Sequence, residues 1–309
     1  MARILVTGAG GFIGAALCPA LAARGHGVVA GLRRAASGPV AGEPLVLGDI
    51  SPGTDWRAAL RGIDIVIHLA QRAHAGPDPA ALTAEPRAVA ALANALAAAG
   101  GRRLVLVSSV KAMGEATAPG RPFRATDEPR PDDAYGRAKL AGERAAAAAR
   151  DGVELVVIRP PLVYGPGVRA NFAALVRLAG SGLPLPFAAV DNRRSLICRD
   201  NLVDLLAIAA THPAALDRPL LARDGDDLST PDLIRALAGG LGRAPHLFPV
   251  PGALFAALRP LPGIGPRLAR LTLSLQVDDG ATRGALGWRP PIAAAAALAA
   301  TARTFAAGL

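Results

Sequence analysis

Tyr135 and Lys139 stand four residues apart, a spacing that in a helix puts a phenol and an ammonium on one face. An ammonium favours the phenolate beside it. The pair is therefore expected to bring the phenol down from its usual pKa of about 10, so that it can exchange a proton with a hydroxyl or carbonyl near neutral pH. The same spacing also occurs in ordinary surface pairs, but here both residue types are scarce. The chain has two tyrosines, and among its 34 Lys and Arg residues only Lys111 and Lys139 are lysines. Just ahead of Lys111 lie Ser108 and Ser109, whose hydroxyls could hold a substrate oxygen.

These residues need elements to bring them together. Apolar, β-branched runs at 3–7, 28–32, 44–49, 63–70, 102–109 and 153–160 alternate with helical patterns at 12–24, 80–99 and 133–150. Near-continuous apolar strands joined by helices predict a parallel sheet covered on both faces, a doubly wound α/β fold of the Rossmann kind. The serines then end the fifth strand, and Tyr135 and Lys139 share the helix that starts near Asp133. After Tyr164 the pattern breaks into short helices separated by proline and glycine. This predicts a dinucleotide-binding domain over 1–165, a smaller substrate-binding domain over 166–309, and a segment near 192–225 that packs back onto the first. A terminal helix is expected at 292–307.

Between the first strand and first helix runs Thr7-Gly8-Ala9-Gly10-Gly11-Phe12-Ile13-Gly14. Glycines at 8, 11 and 14 allow a tight turn, close approach of the backbone to a pyrophosphate, and close packing of helix on strand, with the phosphates at the helix N-terminus.

The bulk composition excludes several classes. A net charge of +10 suits anionic ligands, but no nucleic-acid-binding motif is present and aromatic residues for base stacking are only 4%. No apolar run reaches the roughly 18 residues of a membrane span, and the glycines of the first loop interrupt what could pass for a signal peptide. Cys18 and Cys198 make neither a disulfide framework nor a metal-ligand spacing, so no metal is expected and a reducing cytoplasm fits best.

The GxxGxxG spacing and the Tyr-x-x-x-Lys motif resemble the extended short-chain dehydrogenase/reductases, the family of nucleotide-sugar epimerases, dehydratases and ketoreductases. The likeness extends through GDI (48–50), HLA (68–70), RPPLVYGPGVRANF (159–172), NRRSLICRDNLVDLL (192–206) and SLQVDDGATRGALGWRPPI (274–292), almost the whole chain. The nearest group it resembles is bacterial, the UDP-glucose 4-epimerase-like proteins that include reductases of UDP-4-keto-6-deoxy-N-acetylhexosamine. The resemblance implies a Ser109, Tyr135, Lys139 triad, in which Tyr135 moves a proton while a hydride moves between the sugar C4 and the nicotinamide. Lys139 would also hold the nicotinamide ribose. Gly8, Gly11, Phe12, Ile13 and Gly14 would carry the pyrophosphate, Asp49 and Ile50 the adenine, and Leu69 and Ala70 the cofactor backbone. Asn171 and Arg194 would take the substrate diphosphate. Family dehydratases carry an Asp-Glu pair directly after the triad hydroxyl. This chain has Val110-Lys111, which argues against dehydration and puts Lys111 on the substrate side. The family's Asn-Val-x-Gly-Thr helix is replaced by Ala84-Glu85-Pro86-Arg87-Ala88-Val89, which loses an asparagine and adds a proline.

At the end of the second strand, where an acid would meet the ribose 2′-hydroxyl of NAD, stand Arg33 and Arg34, with no carboxylate until Glu43. Arginine there accommodates the 2′-phosphate of NADP, so NADP(H) is favoured over NAD. The expected function is a UDP-sugar oxidoreductase acting at C4, a 4-ketoreductase ahead of a 4-epimerase. A dinucleotide-sensing binding protein that has lost its chemistry is the reading from another class. A homodimer is compatible with the sequence but is not read from it.

Overall fold

The computed structural model describes residues 1–70, 79–215 and 218–307. Six apolar runs form parallel strands: β1 (Arg3–Thr7), β2 (Gly27–Leu32), β3 (Glu43–Val46), β4 (Ile65–His68), β5 (Arg103–Val107) and β6 (Glu154–Arg159). Two short strands, β7 (Leu162–Tyr164) and β8 (Leu196–Cys198), pair with each other, and β9 (Leu220–Leu221) pairs with β6. The main sheet has seven strands in the order β3-β2-β1-β4-β5-β6-β9, the Rossmann order with one strand added at the β6 edge.

Side-chain alternation covers both faces of this sheet. Ile4, Val6, Ile65, Ile67, Val105 and Val107 point to a core shared with α1 (Gly14–Ala23) and, from later in the chain, α5 (Arg199–Ala209). Leu5, Val66, Leu104 and Leu106 point to the opposite core, made with α2 (Pro79–Ala98) and α3 (Ala134–Ala149). The central strands therefore read as near-continuous apolar sequence, because neither of their faces meets water, while the edge strand β3 is largely exposed.

The chain beyond β6 builds a further core from α4 (Ala170–Ala179), α6 (Thr230–Gly240), α7 (Gly252–Leu258) and α10 (Ala294–Ala307), centred on Tyr164, Phe172, Leu233, Phe255 and Leu298. Two more helices, α8 (Gly265–Thr272) and α9 (Gly280–Leu286), complete the order. A buried carboxylate stitches this region to the β7-β8 pair. Asp224 accepts the Tyr164 hydroxyl at 2.6 Å, the Cys198 N–H at 2.9 Å and the Asn201 amide at 2.8 Å. Among the described residues no helix is long and apolar enough to cross a membrane.

Because the strands are parallel, their C-terminal ends share one edge. The glycine loop, Arg33-Arg34, Asp49, the turn after His68 and Ser109 all lie at that edge, the edge along which ligands bind in such sheets.

Candidate active site

The glycine loop can take a dinucleotide, and its own packing leaves no room for side chains. Gly8 has φ +73°, and a Cβ there would lie 2.9 Å from the Ala70 nitrogen. A Cβ on Gly14 would lie 2.3 Å from the Gly8 oxygen, and one on Gly11 at 3.1 Å from the same atom. The N-terminus of α1 that follows has no side-chain cap; the Ala15 N–H donates to the Gly11 carbonyl and the Ala16 N–H to that of Ile13, and the positive end of the helix dipole faces the loop. Phe12 lies under the Arg199 guanidinium, 5.5 Å from ring centroid to carbon, while Ile13 packs on the core.

Thr7 fastens the neighbouring loop. Its hydroxyl oxygen accepts the N–H groups of Leu69 and Ala70, each at 3.3 Å, and lies 2.9 Å from His68 Nδ1. With the oxygen accepting, the hydroxyl hydrogen goes to Nδ1, which makes His68 a neutral acceptor. Burial, and then the like charge of Lys139, bring the His68 pKa down to about 4. His68 is thus a satisfied core histidine that orders the Leu69-Ala70 turn.

Ser109, Tyr135 and Lys139 come together at the end of β5. Asp133 begins α3 by accepting the Gly136 N–H at 2.6 Å, and the Tyr135 phenol shares a hydrogen bond with Ser109. Lys139 Nζ lies 5.1 Å from the Tyr135 ring centroid. Gly136, between them, is essential for this approach: a Cβ there would sit 2.3 Å from the Lys111 carbonyl oxygen. Ser109 Oγ also accepts the Lys111 N–H at 3.2 Å, capping a single 3-10 turn at Val110–Ala112. Ser108 turns away and donates to buried Glu143, which Arg159 holds through both carboxylate oxygens.

One expectation from the sequence is reversed. The Tyr135 pKa is raised, not lowered: burial is the main cause, the Glu85 carboxylate adds to it, and the Ser109 hydrogen bond opposes it. Glu85 Oε1 accepts from Lys139 Nζ at 2.6 Å, so the ammonium that was to stabilise a phenolate already has a counter-charge. The only sequence signal for Glu85 was the missing asparagine.

The remaining residues lie around this centre. Arg33 and Arg34 are exposed beyond β2, and Arg33 lies 4.0 Å from the exposed carboxylate of Asp49. Ile50 packs against the α2-side core. Lys111 is engaged by Glu115 at 2.5 Å and Asp133 at 2.9 Å, which ties it to the start of α3. Asn171 is exposed in the first turn of α4. Arg194 is half-buried, and its side chain donates to the Leu273 carbonyl at 3.1 Å. Burial lowers its pKa, Glu115 pulls it up, and the like charge of Arg270 pushes it down again. Arg270, whose charge reaches Arg194 from an exposed position on α8, was not singled out from the sequence. Among the described residues no group of three or more His, Cys, Asp or Glu side chains is arranged to hold a metal ion.

The glycine loop, the strand order and the Ser-Tyr-Lys grouping define an extended short-chain dehydrogenase/reductase. The chain belongs to the NAD dependent epimerase/dehydratase family, whose profile matches residues 4–220. It is 38% identical over 297 residues, 93% of this chain and 90% of the relative, to a UDP-glucose 4-epimerase of Vibrio cholerae. It is 30% identical over 250 residues, 78% of this chain and 76% of the relative, to a 2-alkyl-3-oxoalkanoate reductase of Stenotrophomonas maltophilia. The solved structure of MoeE5 in complex with UDP-glucuronic acid and NAD matches with a TM-score of 0.79 and 26% identity, over 99% of this chain and 100% of that one. The chain is thus an enzyme of an NAD-dependent family.

Proposed function

We propose that the protein is a UDP-sugar oxidoreductase acting at C4, running as an NADPH-dependent 4-ketoreductase. The observation that carries the reading is the Ser109-Tyr135-Lys139 grouping at the strand edge beside a glycine cradle. Gly8, Gly11, Phe12, Ile13 and Gly14 would hold the pyrophosphate, with Leu69 and Ala70 along the cofactor backbone and Asp49 and Ile50 at the adenine. Arg33 and Arg34 would meet the 2′-phosphate. When bound, the nicotinamide supplies or accepts a hydride at the sugar carbon.

The chain's own groups handle the oxygen. Ser109 donates a hydrogen bond to the substrate carbonyl and Tyr135 delivers the proton as the carbonyl becomes an alcohol. Lys139 orients Tyr135 and the ribose. Arg194 would bind the nucleotide diphosphate, a task suited to a planar guanidinium, and Asn171 would add an amide from α4. Lys111, held by Glu115 and Asp133, shapes the wall beside Ser109, where the family's dehydratases would carry their carboxylate pair.

A 4-epimerase is the second reading, favoured by the 38% identity to the Vibrio cholerae UDP-glucose 4-epimerase. The two differ in cofactor use, because a reductase consumes a reduced cofactor each turnover and an epimerase regenerates its own. A panel of UDP-4-ketohexoses and UDP-hexoses, with and without NADPH, tests the choice. Consumption of NADPH supports reduction, and cofactor-free interconversion of C4 epimers supports epimerisation.

A further inference from the structure

Glu85 lies on α2, in the turn where Pro86 interrupts the helix. Proline has no N–H to give the Leu82 carbonyl, so helical hydrogen bonding is broken beside Glu85. α2 packs along α3 and brings the Glu85 carboxylate to Lys139 Nζ at 2.6 Å. The Lys139 side chain is 1% exposed and that of Glu85 16% exposed, so the pair is shielded from bulk water. Among the described residues, the titratable and charged groups that surround it can be named. From α3 come Tyr135, Glu143 and, at its cap, Asp133, and from β4 comes neutral His68. Arg87, the charged neighbour on α2 itself, is exposed.

An isolated Lys139 ammonium would favour the phenolate of Tyr135, as in a site tuned to take a proton from an alcohol. A carboxylate in contact with that ammonium cancels most of its field, and at close range in a low-dielectric site such cancellation is worth a unit or more of pKa. An amide in the same place would leave the field intact. We propose that Glu85 is a positioning residue that sets the resting protonation state of this site, pairing with Lys139 so that Tyr135 stays a phenol poised to protonate a carbonyl. The phenol is the form from which ketone reduction starts and the phenolate the form from which alcohol oxidation starts, so the pairing extends upward the pH range over which the enzyme rests ready for reduction. This rests on Tyr135 being the proton-exchanging group.

The scarcity of tyrosine allows a test that needs no substrate. With two tyrosines in the chain, protein labelled with 13C at tyrosine Cζ gives two resonances, and Tyr164→Phe assigns them. The full chain saturated with NADP+ is titrated as wild type, Glu85→Gln and Glu85→Asp, with cofactor affinity measured alongside. The midpoint of Tyr135 is expected to fall by about one pH unit or more in Glu85→Gln and to return most of the way in Glu85→Asp. An unchanged or raised midpoint in Glu85→Gln, with cofactor affinity retained, overturns the proposal and leaves Glu85 a packing residue. Should Glu85→Gln not fold, Glu85→Asn decides by the same criterion: a Tyr135 midpoint below that of the wild type supports the proposal, and one unchanged or raised overturns it. Failure of the underlying site assignment shows separately, as turnover that survives Tyr135→Phe.

Discussion

His68 offers a quantitative check on how the cofactor edge is built. It is buried, accepts the Thr7 hydroxyl, and has its pKa carried from 6.5 to about 4 by burial and by Lys139. The folded protein therefore refuses a proton that the unfolded chain accepts. Between those two values the unfolded state binds more protons, so stability rises with pH and is lost as pH falls from 6.5 toward about 4. At about 1.4 kcal/mol per pH unit, the full displacement makes about 3 kcal/mol at the acid end. His68→Asn keeps an acceptor for the Thr7 hydroxyl and removes the titration. Urea unfolding of both proteins across this range isolates the effect, because all other titrating groups are shared. Above pH 6.5 the variant is expected to be the less stable protein, by the constant cost of lost packing. On acidification the gap should shrink by about 3 kcal/mol. If the two stability curves run parallel down to about pH 4, His68 is not held neutral and the account of the Thr7-His68 turn is wrong.

Other outcomes follow from the same geometry. Gly136→Ala drives a Cβ into the Lys111 carbonyl oxygen; thermal unfolding should report a loss of about 1–3 kcal/mol, and kcat should fall as Ser109 and Tyr135 part. Tyr135→Phe should lose turnover by a factor on the order of 100 or more while keeping cofactor affinity, since only the proton-transfer group is removed. Arg194→Ala should raise KM for the nucleotide sugar roughly tenfold or more with a smaller change in kcat, as expected for a charge-assisted contact away from the reacting carbon. An unchanged KM would return Arg194 to a structural role with the Leu273 carbonyl.

Much of the fold was legible because the strands are buried on both faces. Unbroken apolar runs such as RILVT carry their own boundaries, and the sequence-predicted first strand coincides with β1. The strands β7, β8 and β9 were not readable, being two or three residues long and placed by their partners rather than by their own pattern. The candidates with a local signature, the glycine loop and the Tyr135-Lys139 spacing, could be picked out of the sequence, and the structure brings them to one edge of the sheet. Glu85 and Gly136 could not, because each acts across elements: Glu85 from α2 on Lys139, and Gly136 by what a Cβ would strike. The expected direction of the Tyr135 pKa failed because spacing along one helix reports neither the burial of the phenol nor a carboxylate arriving from another helix.

The central claim is reductive chemistry at C4 with an exchangeable phosphorylated cofactor, and cofactor use tests it most directly. The purified protein is freed of small molecules, these are identified by mass spectrometry, and the protein is then given a UDP-4-ketohexose with NADPH or NADH. The account predicts little retained cofactor and one NADPH consumed per sugar reduced. It also predicts a preference over NADH of roughly tenfold or more, lost when Arg33 and Arg34 are both replaced by alanine. Protein that emerges with tightly held NAD and interconverts C4 epimers of a UDP-hexose without added cofactor would contradict it and establish the epimerase reading.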